Sequence, residues 1–450
     1  RSTLSPSSAA SDVYKRQDYE NYDGESETIH HFLLPNYRGS LNHFYNDMSN
    51  GKLLLESKQE GYVDIPIWYE SDSSDPADYP GPWGVLKFND EVIQNVIDNP
   101  PLGFSFADYD GDGDGYVDLV VFIYDRTRLT HFADGTIDNY PEFDTGDGVK
   151  IKDRAIAKGT VGWELEVGLS AHEIGHILGL PDLYDLDHFL GESDPEKHSA
   201  GLGLWVLMAY GQLGWADADW WTGRKWNNGP NPFSVWSKIK LGWLNPIKLT
   251  TTSFDVALGD IHSGGPVYKV VPRPSVPEEY FLVCNRQKEG SYYTRNDPSE
   301  GLIMYHVDDR IRYSTGNKYE RHKLVDLECP DGLFSDRGYP GEEPNPVSGG
   351  DNLDFWANDQ DYRQAHNGNR GDATDVFDGA TYVSFTPYTN PNTNAYNGPN
   401  PSTDTLQNVP THFAVVNIHK DPNDPSVMRA DFIFNYWSGE IAENTTWSND

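Results

Sequence analysis

Hydrophobic positions repeat with a mixed pattern up to about residue 249 and with a strand-like alternation beyond it. Gly39 to Leu55 (GSLNHFYNDMSNGKLLL) reads as a short helix, a Ser-Asn-Gly turn and a strand. A second strand is expected from Val63 to Tyr69, a Ser/Asp/Pro loop from Ser71 to Pro82, and helical periodicity from Phe88 to Ile97. Tyr116 to Tyr124 is a dense Val/Phe/Ile strand, followed by a polar Gly/Asp-rich connection from Asp125 to Val149. Leu165, Leu169, His172 and His176 fall on one helical stripe, and an acidic loop runs from Asp185 to His198. Lys238 to Trp243 reads as a last helix and its exit.

Past Leu249, short alternating segments such as Val267–Val271, Tyr280–Asn285 and Leu302–His306 are separated by Gly/Pro/Asn/Asp turns, and the pattern continues to Ile433. The expectation is an α+β chain: a mixed domain over about 26–248, a β-rich, sandwich-like region over 249–435, and a tail over 436–450. Gly338 to Asn400 is loop-rich, and no repeat of fixed period occurs. Seven of the 13 tryptophans fall between Trp205 and Trp243, which predicts one aromatic-rich packing or cleft region.

Composition narrows the partners. The 450 residues carry 34 Lys plus Arg against 70 Asp plus Glu, a net charge of −36, so nucleic acid and anionic membrane surfaces are not expected partners. No apolar run is long enough to span a membrane. The chain's two cysteines, Cys284 and Cys329, lack metal-ligand spacing, so a cysteine zinc site is excluded; one disulfide or two buried thiols both remain open. Residues 1–17 (RSTLSPSSAASDVYKRQ) are set apart from fold reasoning, because Asp12 to Gln17 resembles the translation of a transposon end used in sequencing libraries. An upstream coding segment is expected to be missing.

The chemistry concentrates in His172 to Asp182, which reads H-E-x-x-H-x-x-G-x-x-D. On a helix, His172 and His176 lie four apart on one face and reach a single Zn²⁺. Glu173 stands beside them as a general base that does not ligate. Gly179 permits a turn closed to residues with a Cβ, Pro181 stops the helix resuming, and Asp182 returns as the candidate third ligand. A fourth position left open for water marks a catalytic zinc site. The bland reading is two histidines and a glutamate on a solvated face; the extension through Gly179 and Asp182 argues against it.

A second metal signature lies at Asp108 to Asp118, D-Y-D-G-D-G-D-G-Y-V-D. Asp110, Asp112 and Asp114 take positions 1, 3 and 5 of a Ca²⁺ loop, Gly115 the sharp turn, Tyr116 a carbonyl ligand, and Asp118 position 9. Val121 stands where a helix–loop–helix site has glutamate, so the loop feeds a strand instead. The expected role of Ca²⁺ is structural, and the bland reading is a solvated acidic turn.

The chain resembles the immune inhibitor A-like zinc metallopeptidases, secreted bacterial proteases allied to the metzincins. The resemblance is carried in order by GSLNHFYNDMSNGKL, YDGDGDGYVDLVV, AHEIGHILGLPDLYD, GLWVLMAYG, PFSVWSKIKLGWL, EYFLVCNRQ and GLIMYHVD. It implies a metzincin-like catalytic domain, a twisted sheet packed on the zinc helix, with protein or peptide substrates. It also implies that Met208 belongs to a turn beneath the metal and that Tyr210 stabilises the oxyanion. A signal peptide, an inhibitory propeptide and an extracellular bacterial setting follow from the same resemblance. Two departures stand out. Many metzincins have histidine where this chain has Asp182, and Asp185 or the acidic loop offers a competing carboxylate. Asp125-Arg126-Thr127-Arg128 replaces the family's His-Ala-Gly. The expected function is a zinc endopeptidase; the alternative is a catalytically silent, metal-stabilised binding or adhesion protein.

Overall fold

The computed structural model describes residues 39–55, 94, 97–98, 100, 103–125, 135–137, 142–159, 167–184, 201–215, 230–319, 322–330, 371–404 and 406–437. The strand expected at 63–69, the loop at 71–82, most of the helix at 88–97 and the acidic loop at 185–198 lie outside them. The architecture is mixed, with more strand than helix and several sheets. By internal packing the chain forms two units, one of residues 1–180 and 211–233, the other of 181–210 and 234–450.

In the first unit, helix α1 (Leu41–Met48) starts where the Ser40 side chain accepts the His43 N–H. Leu41, Phe44, Tyr45 and Met48, spaced i, i+3, i+4, i+7, form its buried face. The strand expected after the turn does not form within 51–55. Asn42 instead brackets Leu55, donating to its carbonyl and accepting its N–H, which ties that segment back along the helix. Strand β1 (Val121–Asp125) begins later than the apolar run does, because the backbone N–H groups of Val117 and Asp118 go to Lys150 and Tyr109. Within the expected polar connection lie β2 (Gly135–Ile137) and β3 (Phe143–Asp144); β4 (Lys150–Ile151), just beyond it, forms a hairpin with β3. Strand β5 (Arg154–Gly159) pairs parallel with β1 and antiparallel with β2. Helix α2 (Val167–Ile177) lies against β5 and α1.

The second unit opens its regular structure with helix α3 (Val235–Lys240), capped by Ser234. Strands β6 (Ile247–Leu249), β8 (Val267–Val270), β9 (Glu279–Arg286), β10 (Gly301–Asp308) and β11 (Val325–Leu327) form one sheet in the order β11-β10-β9-β8-β6. Strands β7 (Ser253–Leu258), β12 (Phe413–Lys420) and β13 (Met428–Phe434) form another, in the order β12-β13-β7. Phe281, Val283, Leu302 and Met304 of the first sheet share one core with Leu258, Phe413, Val415 and Phe432 of the second.

Every residue of β9 and β10 is buried, polar ones included. The alternation in these strands therefore does not separate core from solvent: Phe281, Val283, Leu302 and Met304 face the shared core, and Leu282, Cys284, Ile303 and Tyr305 on the opposite face are buried as well. Arg286 donates to both Asp297 oxygens and to the Trp205 carbonyl. Cys284 and Cys329 are separate buried thiols, and burial pushes the Cys284 thiol up to about 12. Trp205 and Trp236 are both fully buried but have different partners. Trp205 donates to Asp375, whereas Trp236 donates to Asp309 and packs on Tyr313.

Candidate metal centre

Helix α2 ends in a Schellman turn. Gly179, at φ +91°, donates its N–H to the His176 carbonyl, and Leu180 donates to the Gly175 carbonyl. The turn also exposes the Leu180 carbonyl to His176, whose Nδ1–H donates to it over 2.8 Å. With Nδ1 donating to a carbonyl, Nε2 is the nitrogen that the ring presents on its other side. That nitrogen faces His172 Nε2 at 3.2 Å, with the two ring planes at 85°.

Ten residues after His172 in unbroken chain, Asp182 brings a carboxylate oxygen within 4.8 Å of one ring nitrogen of each histidine. Two facing imidazole nitrogens and a carboxylate suit a shared proton or a shared cation. Two nitrogens bound to one tetrahedral Zn²⁺ at ~2.0–2.1 Å would stand about 3.3 Å apart, so the 3.2 Å spacing fits the metal. His172 and Glu173 are buried.

Just beyond Asp182, the Leu183 N–H donates to the Met208 carbonyl at 2.7 Å, and the Leu183 carbonyl accepts from Leu202 and Asn317. Met208 is fully buried. The segment that follows the third candidate ligand is thus bonded directly to the methionine turn. A Cβ on Gly201 would stand 2.0 Å from the Leu183 carbonyl oxygen, so glycine is needed for this crossing. Tyr210 is held by its N–H to Gly203, and its ring lies 5.4 Å from that of Tyr184.

The acidic loop converges only in part. Asp110, Asp112 and Asp118 each bring a carboxylate oxygen within 4.8 Å of the others. Asp110 also accepts the N–H groups of Asp114 and Gly115, and Gly115 sits at φ +88° as the turn requires. Asp114 is outside this trio and accepts the Tyr116 N–H. Burial, with the charges of Asp112, Asp110 and Asp114, raises the Asp118 carboxyl above its ordinary range, against the Gly111 N–H that lowers it.

Two contributors were not singled out from sequence. The Leu180 carbonyl carries no side-chain signal, although the Gly179 turn that presents it does. Tyr45 lies inside the GSLNHFYNDMSNGKL stretch and donates its hydroxyl to the Ala171 carbonyl at 2.6 Å. A phenol buried on α1 gave no hint of its partner until α1 and α2 were placed together.

No family model matches the chain. Over 259 residues it is 28% identical to Pre-pro-metalloprotease PrtV of Vibrio cholerae, covering 54% of this chain and 26% of that protein. It is 23% identical over 252 residues to Immune inhibitor A of Bacillus thuringiensis, covering 48% of this chain and 34% of that protein. The chain therefore spans about a quarter to a third of the length of these curated relatives. Both are distant homologues, and they support descent from a metallopeptidase family.

Proposed function

We propose that the chain is a zinc-dependent endopeptidase of the immune inhibitor A-like kind, with His172, His176 and Asp182 as metal ligands. The observation that carries this reading is the 3.2 Å approach of two Nε2 atoms, one with its Nδ1 proton committed to Leu180, beside the Asp182 carboxylate. The metalloprotease named among the distant homologues points the same way. Bound Zn²⁺ supplies Lewis acidity toward a water and the scissile carbonyl. Glu173 takes the proton from the attacking water and passes it to the leaving amine. Tyr210 donates its hydroxyl to the developing oxyanion, and Met208 gives the metal a soft apolar floor.

In this reading a metzincin-like catalytic domain covers about residues 26–248, and the β-rich region 249–435 follows it. Asp110, Asp112, Asp114, Asp118 and the Tyr116 carbonyl hold a structural Ca²⁺. The protein acts outside a bacterial cell and is made with a signal peptide and an inhibitory propeptide, a reading supported by the name of the Vibrio relative. Among the described residues no helix is long and apolar enough to cross a membrane. The test is cleavage of casein or a fluorogenic peptide with and without a zinc chelator. Loss on chelation and recovery with Zn²⁺ are expected. Zinc binding with no hydrolysis of any substrate would favour the silent, metal-stabilised binding protein.

A further inference from the structure

Helix α1 is the first of the motifs that the proposed chemistry leaves without a role. Its Tyr45 is fully buried, edge-on to Phe44 at 5.5 Å and tilted against Phe233 at 6.0 Å. Two aromatic rings thus flank the phenol. Its hydroxyl donates to the Ala171 carbonyl at 2.6 Å, shorter than most neutral O–H···O bonds. In the helical ladder that carbonyl already faces the Gly175 N–H, so the phenol is a second donor and is not needed to satisfy it. Ala171 is the residue immediately before His172 and Glu173. A rigid external donor at this peptide resists both rotation of α2 about its axis and sliding along it.

We propose that Tyr45 is a positioning residue for the metal centre, holding the His172 turn of α2 in register for a shared zinc. The proposal rests on the metal reading above and extends it to the α1 motif. Burial, and then the nearby charge of Glu173, raise the Tyr45 hydroxyl well above its ordinary value, so it remains a donor at any working pH.

Outer groups that orient zinc ligands typically change metal affinity by roughly tenfold or more when removed. The experiment is zinc competition against a chromophoric chelator, using the full chain as wild type, Tyr45→Phe, Phe44→Leu and His172→Ala, with melting of each metal-free protein. Tyr45→Phe keeps the ring and removes only the hydroxyl. It should weaken zinc binding roughly tenfold while the metal-free melting temperature stays near wild type. Phe44→Leu should do the reverse, lowering the melting temperature with little change in zinc affinity. Unchanged zinc affinity in Tyr45→Phe, an equal loss in Phe44→Leu, or failure of Tyr45→Phe to fold would each overturn the proposal. A wild type that binds zinc no better than His172→Ala overturns the metal reading itself, which separates the two failures.

Discussion

Two pairs of histidines make the most instructive contrast in the molecule. In the second unit, His306 and His322 each meet a carboxylate. His306 Nε2 lies 3.1 Å from Glu279 and Nδ1 3.5 Å from Glu328, while His322 Nε2 lies 2.8 Å from Asp308. Their rings stack on opposite neighbours of one core: Phe281 against His306, and Tyr396 against both His306 and His322. In the first unit, His172 and His176 turn their Nε2 atoms toward each other. His306, with both ring nitrogens beside carboxylates, is held as a structural cation. Two histidines that converge on one point are arranged for a third body. Burial does not separate the cases, since His172, His306 and His322 are all buried; the direction of Nε2 does.

The largest expected effect breaks the first pair. His172→Ala or His176→Ala should abolish zinc binding and cut hydrolysis by roughly a thousandfold or more, as removal of one member of a catalytic set does. His306→Gln should lower stability and leave zinc stoichiometry intact. Metal analysis beside thermal melting checks both, and zinc loss in His306→Gln would erase the contrast.

Next comes a buried ion pair of the β-rich unit. Asp297→Ala leaves the buried Arg286 guanidinium without its bidentate partner and should cost about 3–5 kcal/mol in denaturant unfolding. A cost near zero would mean that Arg286 finds another anion or water.

The ionic core also sets a pH dependence. Burial alone would lower the His306 pKa, but hydrogen bonds and charges from Glu279 and Glu328 outweigh it and hold it at about 9, above its ordinary 6.5. A raised folded-state pKa gives stability that is fully present below about pH 6.5 and lost as pH rises through about 9. Asp308 behaves oppositely: His322 and Arg310 outweigh its burial and hold it at about 2, so its contribution fails only as pH falls from about 3.8 through 2. The unfolding free energy of metal-free protein should therefore decline by a few kcal/mol between neutral pH and pH 10, as read by denaturant unfolding. His306→Gln should flatten that decline.

The smallest effect is expected at the acidic loop. Selective removal of Ca²⁺ with zinc retained should lower the melting temperature by a few degrees and open the 110–118 loop to proteolysis. An unchanged melting temperature would leave Asp110, Asp112 and Asp118 as a solvated turn held by its own N–H groups.

The sequence was most legible where chemistry is local. The i, i+4 spacing of His172 and His176 and the turn at Gly179 are set within a few bonds, and both recur in the structure. Strand edges were less legible, since tertiary partners decide them. Tyr116 reads as strand, but it makes only an isolated bridge to Lys150 because the acidic loop claims the neighbouring backbone. Long-range polar partners were not legible at all. Nothing along the chain pairs Glu279 with His306 or Tyr45 with Ala171, because those contacts follow from how strands and helices come together.

The central claim is that His172, His176 and Asp182 hold a zinc on which Glu173 works as a base without being a ligand. It is tested most directly by measuring zinc content and peptide hydrolysis together in Glu173→Gln. The account predicts one zinc per chain, as in wild type, with hydrolysis reduced by roughly a thousandfold or more. Hydrolysis at the wild-type rate, or loss of the zinc along with the activity, would contradict it.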